Sequence, residues 1–117
     1  MSCFDAFILP VKTAHLEDYR ILAVQASRIW HRLGALEVVE AEGEGLEPGK
    51  LTSFPRAVLL EEDETVIWSF IRFRDRAHRD EVVAAAMADP ELMAVMDVDW
   101  IDGKRMIWGV FKGIAET

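Results

Sequence analysis

Residues 66–74 read VIWSFIRFR, and the fold turns on them. Nine residues rich in β-branched and aromatic side chains, with no glycine or proline, predict a strand. Alternation sends Val66, Trp68 and Phe70 to one side and Ile67, Ile71 and Phe73 to the other, so both faces are apolar. A strand in an antiparallel sheet with one wetted face alternates apolar with polar instead. Two further segments share the two-sided pattern. Phe4, Ala6 and Ile8 oppose Phe7 and Leu9 near the N-terminus, and Met106, Trp108 and Val110 oppose Ile107 and Phe111 near the C-terminus. A bare apolar face of that size exceeds the few hundred Å² that soluble monomers expose. The simplest cover is the same face of a second copy, which predicts a two-fold homodimer.

Working outward, Phe4–Val11 is too short for a helix and is read as the first strand. From Thr13 the period changes. Leu16, Tyr19, Leu22, Ala23, Ala26, Ile29, Trp30 and Leu33 recur every three or four residues, which predicts a helix capped by Thr13 and ended by Gly34. Ala35–Glu42 is a moderately polar strand, and GEGLEPGK (43–50) a loop by its glycines and Pro48. Residues 51–60 are open between a short strand and a helical turn starting at Ser53 and Pro55. Asp75 caps a second helix over RAHRDEVVAAAMA (76–88), with a stripe of Val82, Val83, Ala86 and Met87. Asp89-Pro90 starts a short helical piece carrying Leu92, Met93 and Met96, and RMIWGVFKGI (105–114) is the last strand. The order is β-α-β-β-α-β: an α+β, ferredoxin-like chain with a four-stranded antiparallel sheet, forming one domain over residues 1–117.

Composition narrows the function classes. Against 13 basic residues stand 21 acidic ones, a formal net charge of −8, and such a surface repels a phosphate backbone, so no nucleic-acid partner is expected. Cys3 is the sole cysteine, which forbids an internal disulfide and a cysteine-built zinc site and fits a reducing cytoplasm. No apolar run approaches the ~20 residues of a membrane span. His15, His31 and His78 lack the HExxH spacing, so no metal is expected, and neither a glycine-rich phosphate loop nor a GxSxG elbow is present. No cofactor is called for.

Two basic clusters are the candidate sites. IRFRDRAHRD (71–80) packs four arginines and a histidine into ten positions of an acidic chain. The connectivity puts the end of the first long helix and the start of the second at one end of the sheet, so Trp30 and His31 would approach Arg74, His78 and Arg79. Two histidines, arginines and a helix N-terminus suit a carboxylate or phosphate. His78 is the best candidate for a catalytic role, as a neutral base, with Arg79 orienting an anion. The competing reading is salt-bridged solvation, with Arg76 and Arg79 paired to Asp75, Asp80 and Glu81. At the other end, Arg56, Lys104 and Arg105 gather with Lys12; there the cations either bind a ligand or cap loops and pair with Glu62, Asp63 and Glu64.

The segments GALEVVE (34–40), GKLTSFPRAV (49–58), DETVIWSFI (63–71), RAHRD (76–80) and DGKRMIWGVF (102–111) resemble, in order and spacing, those of the YbaA-like family of small bacterial proteins, a domain of unknown function. The chain departs from that pattern at VDWI (98–101), where the family has a Met-Pro-Phe-like stretch. The resemblance implies a dimeric α+β barrel, related in architecture to the antibiotic-biosynthesis monooxygenases, and no established activity. Three functions follow as expectations: a dimer binding a small anionic or aromatic molecule between sheet and helices, a non-catalytic structural or interaction dimer, or a cofactor-independent monooxygenase-like enzyme.

Overall fold

In the computed structural model, which describes residues 1–117, VIWSFIRFR lies in a central strand, β3 (Glu64–Phe73). The other elements are β1 (Cys3–Lys12), a 3-10 turn at Thr13–His15, α1 (Leu16–Arg32), β2 (Glu37–Glu42), α2 (Phe54–Ala57), α3 (Arg76–Met87), α4 (Pro90–Met96) and β4 (Ile107–Lys112). The sheet order is β2-β3-β1-β4, and every neighbouring pair is antiparallel. β1 and β2 therefore run parallel with β3 between them, and β3 and β4 run parallel with β1 between them. Two split β-α-β units interleave, one crossing over through α1 and the other through α3 and α4. The shortest dimension, 22 Å, fits one sheet and one layer of helices.

Register decides which side each residue takes. Cys3 stands opposite Phe73, Asp5 opposite Ile71 and Leu9 opposite Ile67, so the odd-numbered residues of β1 and β3 share one face. The helices cover that face. Phe73, with none of its surface exposed, packs with Cys3, Ile71, Ala35 and Val82. Leu9, Val11 and Ile67 meet Tyr19 and Ala23 of α1, and α1 meets Ala86 and Leu92 farther out. Truncating Phe73 to Ala would cost about 3–5 kcal/mol.

Local signals account for most boundaries. α1 ends in a Schellman turn: Gly34 N–H donates to His31 O and Ala35 N–H to Trp30 O, with Gly34 at φ 120°. A Cβ there would meet Val82 Cγ2 at 3.1 Å, so the left-handed backbone and the close packing both call for glycine. Asp75 and Asp89 cap α3 and α4 by accepting from His78 N–H and Leu92 N–H. Within residues 51–60 the helical alternative holds: Ser53 Oγ accepts from Arg56 N–H and Pro55 stands in the first turn.

Two readings need correction. Thr13 does not cap α1; its hydroxyl meets that of Thr65 at 3.0 Å, and a 3-10 turn intervenes before the helix starts at Leu16. Helical spacing placed Met87 in an apolar stripe with Val82, Val83 and Ala86, but it is exposed, as are Met93 and Met96 of the short helical piece, because α3 and α4 bury only the sides carrying Ala86 and Leu92. At the end of the 3-10 turn the partly exposed His15 ring stacks on Trp100, centroids 5.1 Å apart, and Trp100 also meets the edge of Tyr19.

Candidate functional site

The arginine-rich segment is built as a structural joint. Arg79 reaches under the sheet and donates through Nε and Nη2 to both carboxylate oxygens of Asp5, at 2.9 and 3.1 Å, with both side chains largely buried. Arg76 pairs with Asp80, and Arg72 with Glu37 across the strand pair. Arg74 is exposed and comes no nearer than 3.9 Å to Asp75. His78 is buried, and its Nδ1 accepts the backbone N–H of Arg74 at 3.0 Å while its ring meets the edge of Phe73. Trp30 also packs edge-on against Phe73, so Trp30 and His78 share a neighbour, whereas His31 is exposed to solvent. The expected pocket of Trp30, His31, Arg74, His78 and Arg79 does not assemble, because the strongest cation is spent on a buried aspartate that lies 74 residues away in sequence.

The second basic cluster is likewise occupied. Arg105 grips Glu64 with two bonds of 2.7 and 2.6 Å, pairs with Asp102, and donates to Leu59 O. These bonds hold the Glu64 carboxyl down at about 2. Lys12 pairs with Glu61 and Asp63 and lies 3.6 Å from Glu64. Arg56 donates to Pro48 O and Gly49 O, tying the long loop to α2, and Lys104 is exposed.

A third location carries the open space. Between α1 and the edge strand β2 runs a cleft of about 430 Å³, with apolar walls from Leu16, Ala23, Val24 and Ile67. Its polar groups are Tyr19 and Glu40 within and Arg20, Arg28 and Glu42 at the rim. Small residues make the space: Ala23 and Ser27 face the strand where longer side chains would fill the gap. Glu40 turns inward because it stands opposite Ser69 on the face that also carries Val38 and Ile71. Tyr19 Oη donates to both its oxygens, at 2.8 and 2.9 Å. Burial raises the Glu40 carboxyl above its ordinary range, against the pull of the Tyr19 and Ser69 hydroxyls. Burial and then the charge of Glu40 hold the Tyr19 phenol far above its own. A carboxylate so placed accepts a proton or a hydrogen bond from whatever enters the cleft.

The other face of the sheet has no helix. Trp68, Ile107 and Phe111 are exposed there beside half-buried Phe4, Ile8 and Phe70, and Phe70 packs edge-on against both Phe4 and Trp68. Glu40 and Tyr19 were not among the sequence candidates. The available signal was parity, since Val38 and Glu40 lie on one side of a strand whose inward face Val38 marks.

Helices on one side of a four-stranded antiparallel sheet, with a cleft where the first long helix passes the sheet edge, define the class as a small α+β protein. The chain belongs to the family DUF1428, "Protein of unknown function", whose pattern matches residues 2–102. It is 34% identical over 116 residues to the uncharacterized protein YbaA of Escherichia coli strain K12, covering 99% of both chains, and equally to YbaA of Shigella flexneri. Among solved structures it is similar to protein Atu4242 from Agrobacterium tumefaciens, with a TM-score of 0.59 at 16% identity, covering 96% of this chain and 93% of that one. That likeness extends the α+β architecture to a sequence far removed. No helix is long and apolar enough to cross a membrane.

Proposed function

We propose that the chain is a cytoplasmic small-molecule-binding protein that works as a homodimer, with two sheets paired through their helix-free faces and the cleft between α1 and β2 of each copy as the binding site. The cleft carries the reading: an open, largely apolar space holding one inward carboxylate is the usual form of a ligand site. The ligand is a small molecule with an aromatic or apolar body. An anionic group would have to find its cation outside the two basic clusters, whose best placed members are engaged with Asp5 and Glu64. The dimer rests on the sheet face: Trp68, Phe111, Ile107, Phe4, Ile8 and Phe70 supply the apolar centre that an interface of roughly 800 Å² per partner needs. Pairing there leaves the cleft free, because it opens on the opposite side of the sheet.

The second reading, an interaction dimer without a ligand, is favoured by the same pairing of the arginines and needs only the sheet face. One experiment separates them. Sedimentation is expected to give twice the 13.3 kDa chain mass, and Trp68→Asp to give the single mass with the helical circular dichroism unchanged. A thermal-shift screen on the dimer then reads the cleft, since a ligand at 100 times its Kd stabilises by about 2.7 kcal/mol. A monomeric wild type overturns the dimer, and a screen of small aromatic molecules with no shift leaves the interaction reading.

A further inference from the structure

Four buried or nearly buried carboxylates hold this fold together, and they are not partnered alike. Asp5 has Arg79, Glu64 has Arg105 and Lys12, and Asp89 has Arg32. Glu40 has only neutral donors, the hydroxyls of Tyr19 and Ser69. It is also the one of the four that faces the cleft. A desolvated carboxylate without a cation is costly, and proteins ordinarily pair such a group.

We propose that the cleft selects small organic cations, a protonated amine on an aromatic or apolar body, with Glu40 as the residue that pairs with the ammonium. This rests on the binding reading above and names the ligand class for that site. Ala23, Val24 and Ile67 take the apolar body, and the Tyr19 hydroxyl holds the carboxylate in position by bridging its two oxygens. The two arginines at the rim do not reverse the preference. Arg20 is neutralised by Glu17 and Glu42, with contacts of 2.9 and 2.8 Å, and Arg28 is exposed, where water and salt screen it. The field of a chain with net charge −8 adds attraction for a cation.

The test uses three probes of one shape and different charge: benzylammonium, benzyl alcohol and benzoate, titrated into the whole protein by calorimetry and thermal shift. Benzylammonium is expected to bind most tightly, benzyl alcohol more weakly and benzoate least. Glu40→Gln, which keeps an acceptor for Tyr19, is expected to remain folded and to lose the ammonium preference, a drop of about tenfold to a hundredfold in affinity for that probe alone. Glu40→Asp keeps the charge and is expected to keep the order of the probes. Benzoate binding as well as benzylammonium, or an ammonium preference that survives Glu40→Gln, overturns the inference while leaving a binding cleft in place. No binding by any of the three overturns the binding reading and this inference with it.

Discussion

Arg79→Met tests whether the arginine-rich segment is architecture. Arg79 and Asp5 join α3 to the underside of β1 by two parallel bonds, with side-chain exposures of only 13% and 5%. Methionine has a similar length and no charge, so the substitution leaves Asp5 as a buried carboxylate with no cation against it. Removing one member of a buried pair typically costs about 3–5 kcal/mol. For 117 residues, at about 2.1 cal/mol/K of unfolding entropy per residue, 1 kcal/mol moves the melting temperature by about 4 °C, so a fall of about 12–20 °C is expected. The double variant Asp5→Val with Arg79→Met removes both charges and puts a β-branched residue in a central strand. It should recover most of the loss, because replacing a buried ion pair by apolar groups is often neutral or better. Urea and thermal unfolding of the wild type, both single variants and the double variant close the cycle. A loss below about 1 kcal/mol for Arg79→Met, or a double variant as unstable as the sum of the singles, would refute the reasoning and return Arg79 to the list of ligand-binding candidates.

Two other outcomes follow from the charges. Glu64 is held near 2 by Arg105 against an ordinary 4.5, so its stabilisation is complete above 4.5 and is lost as the pH falls through 2. The shift sets a ceiling of roughly 3 kcal/mol, and screening around partly exposed Arg105 and Lys12 reduces it to about 1–2 kcal/mol. Glu64→Gln is therefore expected to flatten the acid limb of the melting-temperature profile between those two values, and an unchanged limb would deny Arg105 its role. For nucleic acid, no binding to RNA is expected at physiological ionic strength, as Arg72, Arg76 and Arg79 are each paired with a carboxylate. A salt-sensitive micromolar affinity lost on changing Arg74, Arg76 and Arg79 together would show the local charge to be free after all.

What the sequence makes legible here is whatever depends on neighbours in the chain. The two-sided apolar alternation of VIWSFIRFR and the 3.6-residue period from Leu16 to Leu33 lead to the four-stranded sheet and its helices, and the caps at Asp75 and Asp89 follow from residue type alone. Thr13 misled because the same hydroxyl that suits a cap also suits a cross-strand partner, and Thr65 lies 52 positions away. The site is harder to read for the same reason at larger scale. A run of arginines announces itself, yet whether each is free depends on carboxylates such as Asp5, which alternation places inward among Cys3, Phe7 and Leu9 without saying what will meet it. Glu40 shows the converse. In EVVEAE it looks like a solvated strand glutamate: Val38 shares its side of the strand, but the group that meets its carboxylate, Tyr19, is 21 residues away on a helix. Strand parity puts Glu40 inward once β2 is known to pair with β3, helix periodicity puts Tyr19 on the buried face, and only the crossover through α1 brings the two together. In this chain the fold has already neutralised most of the conspicuous charges, Arg79 with Asp5 and Arg105 with Glu64 among them. The carboxylate open to chemistry is inconspicuous, because its nearest partners are uncharged.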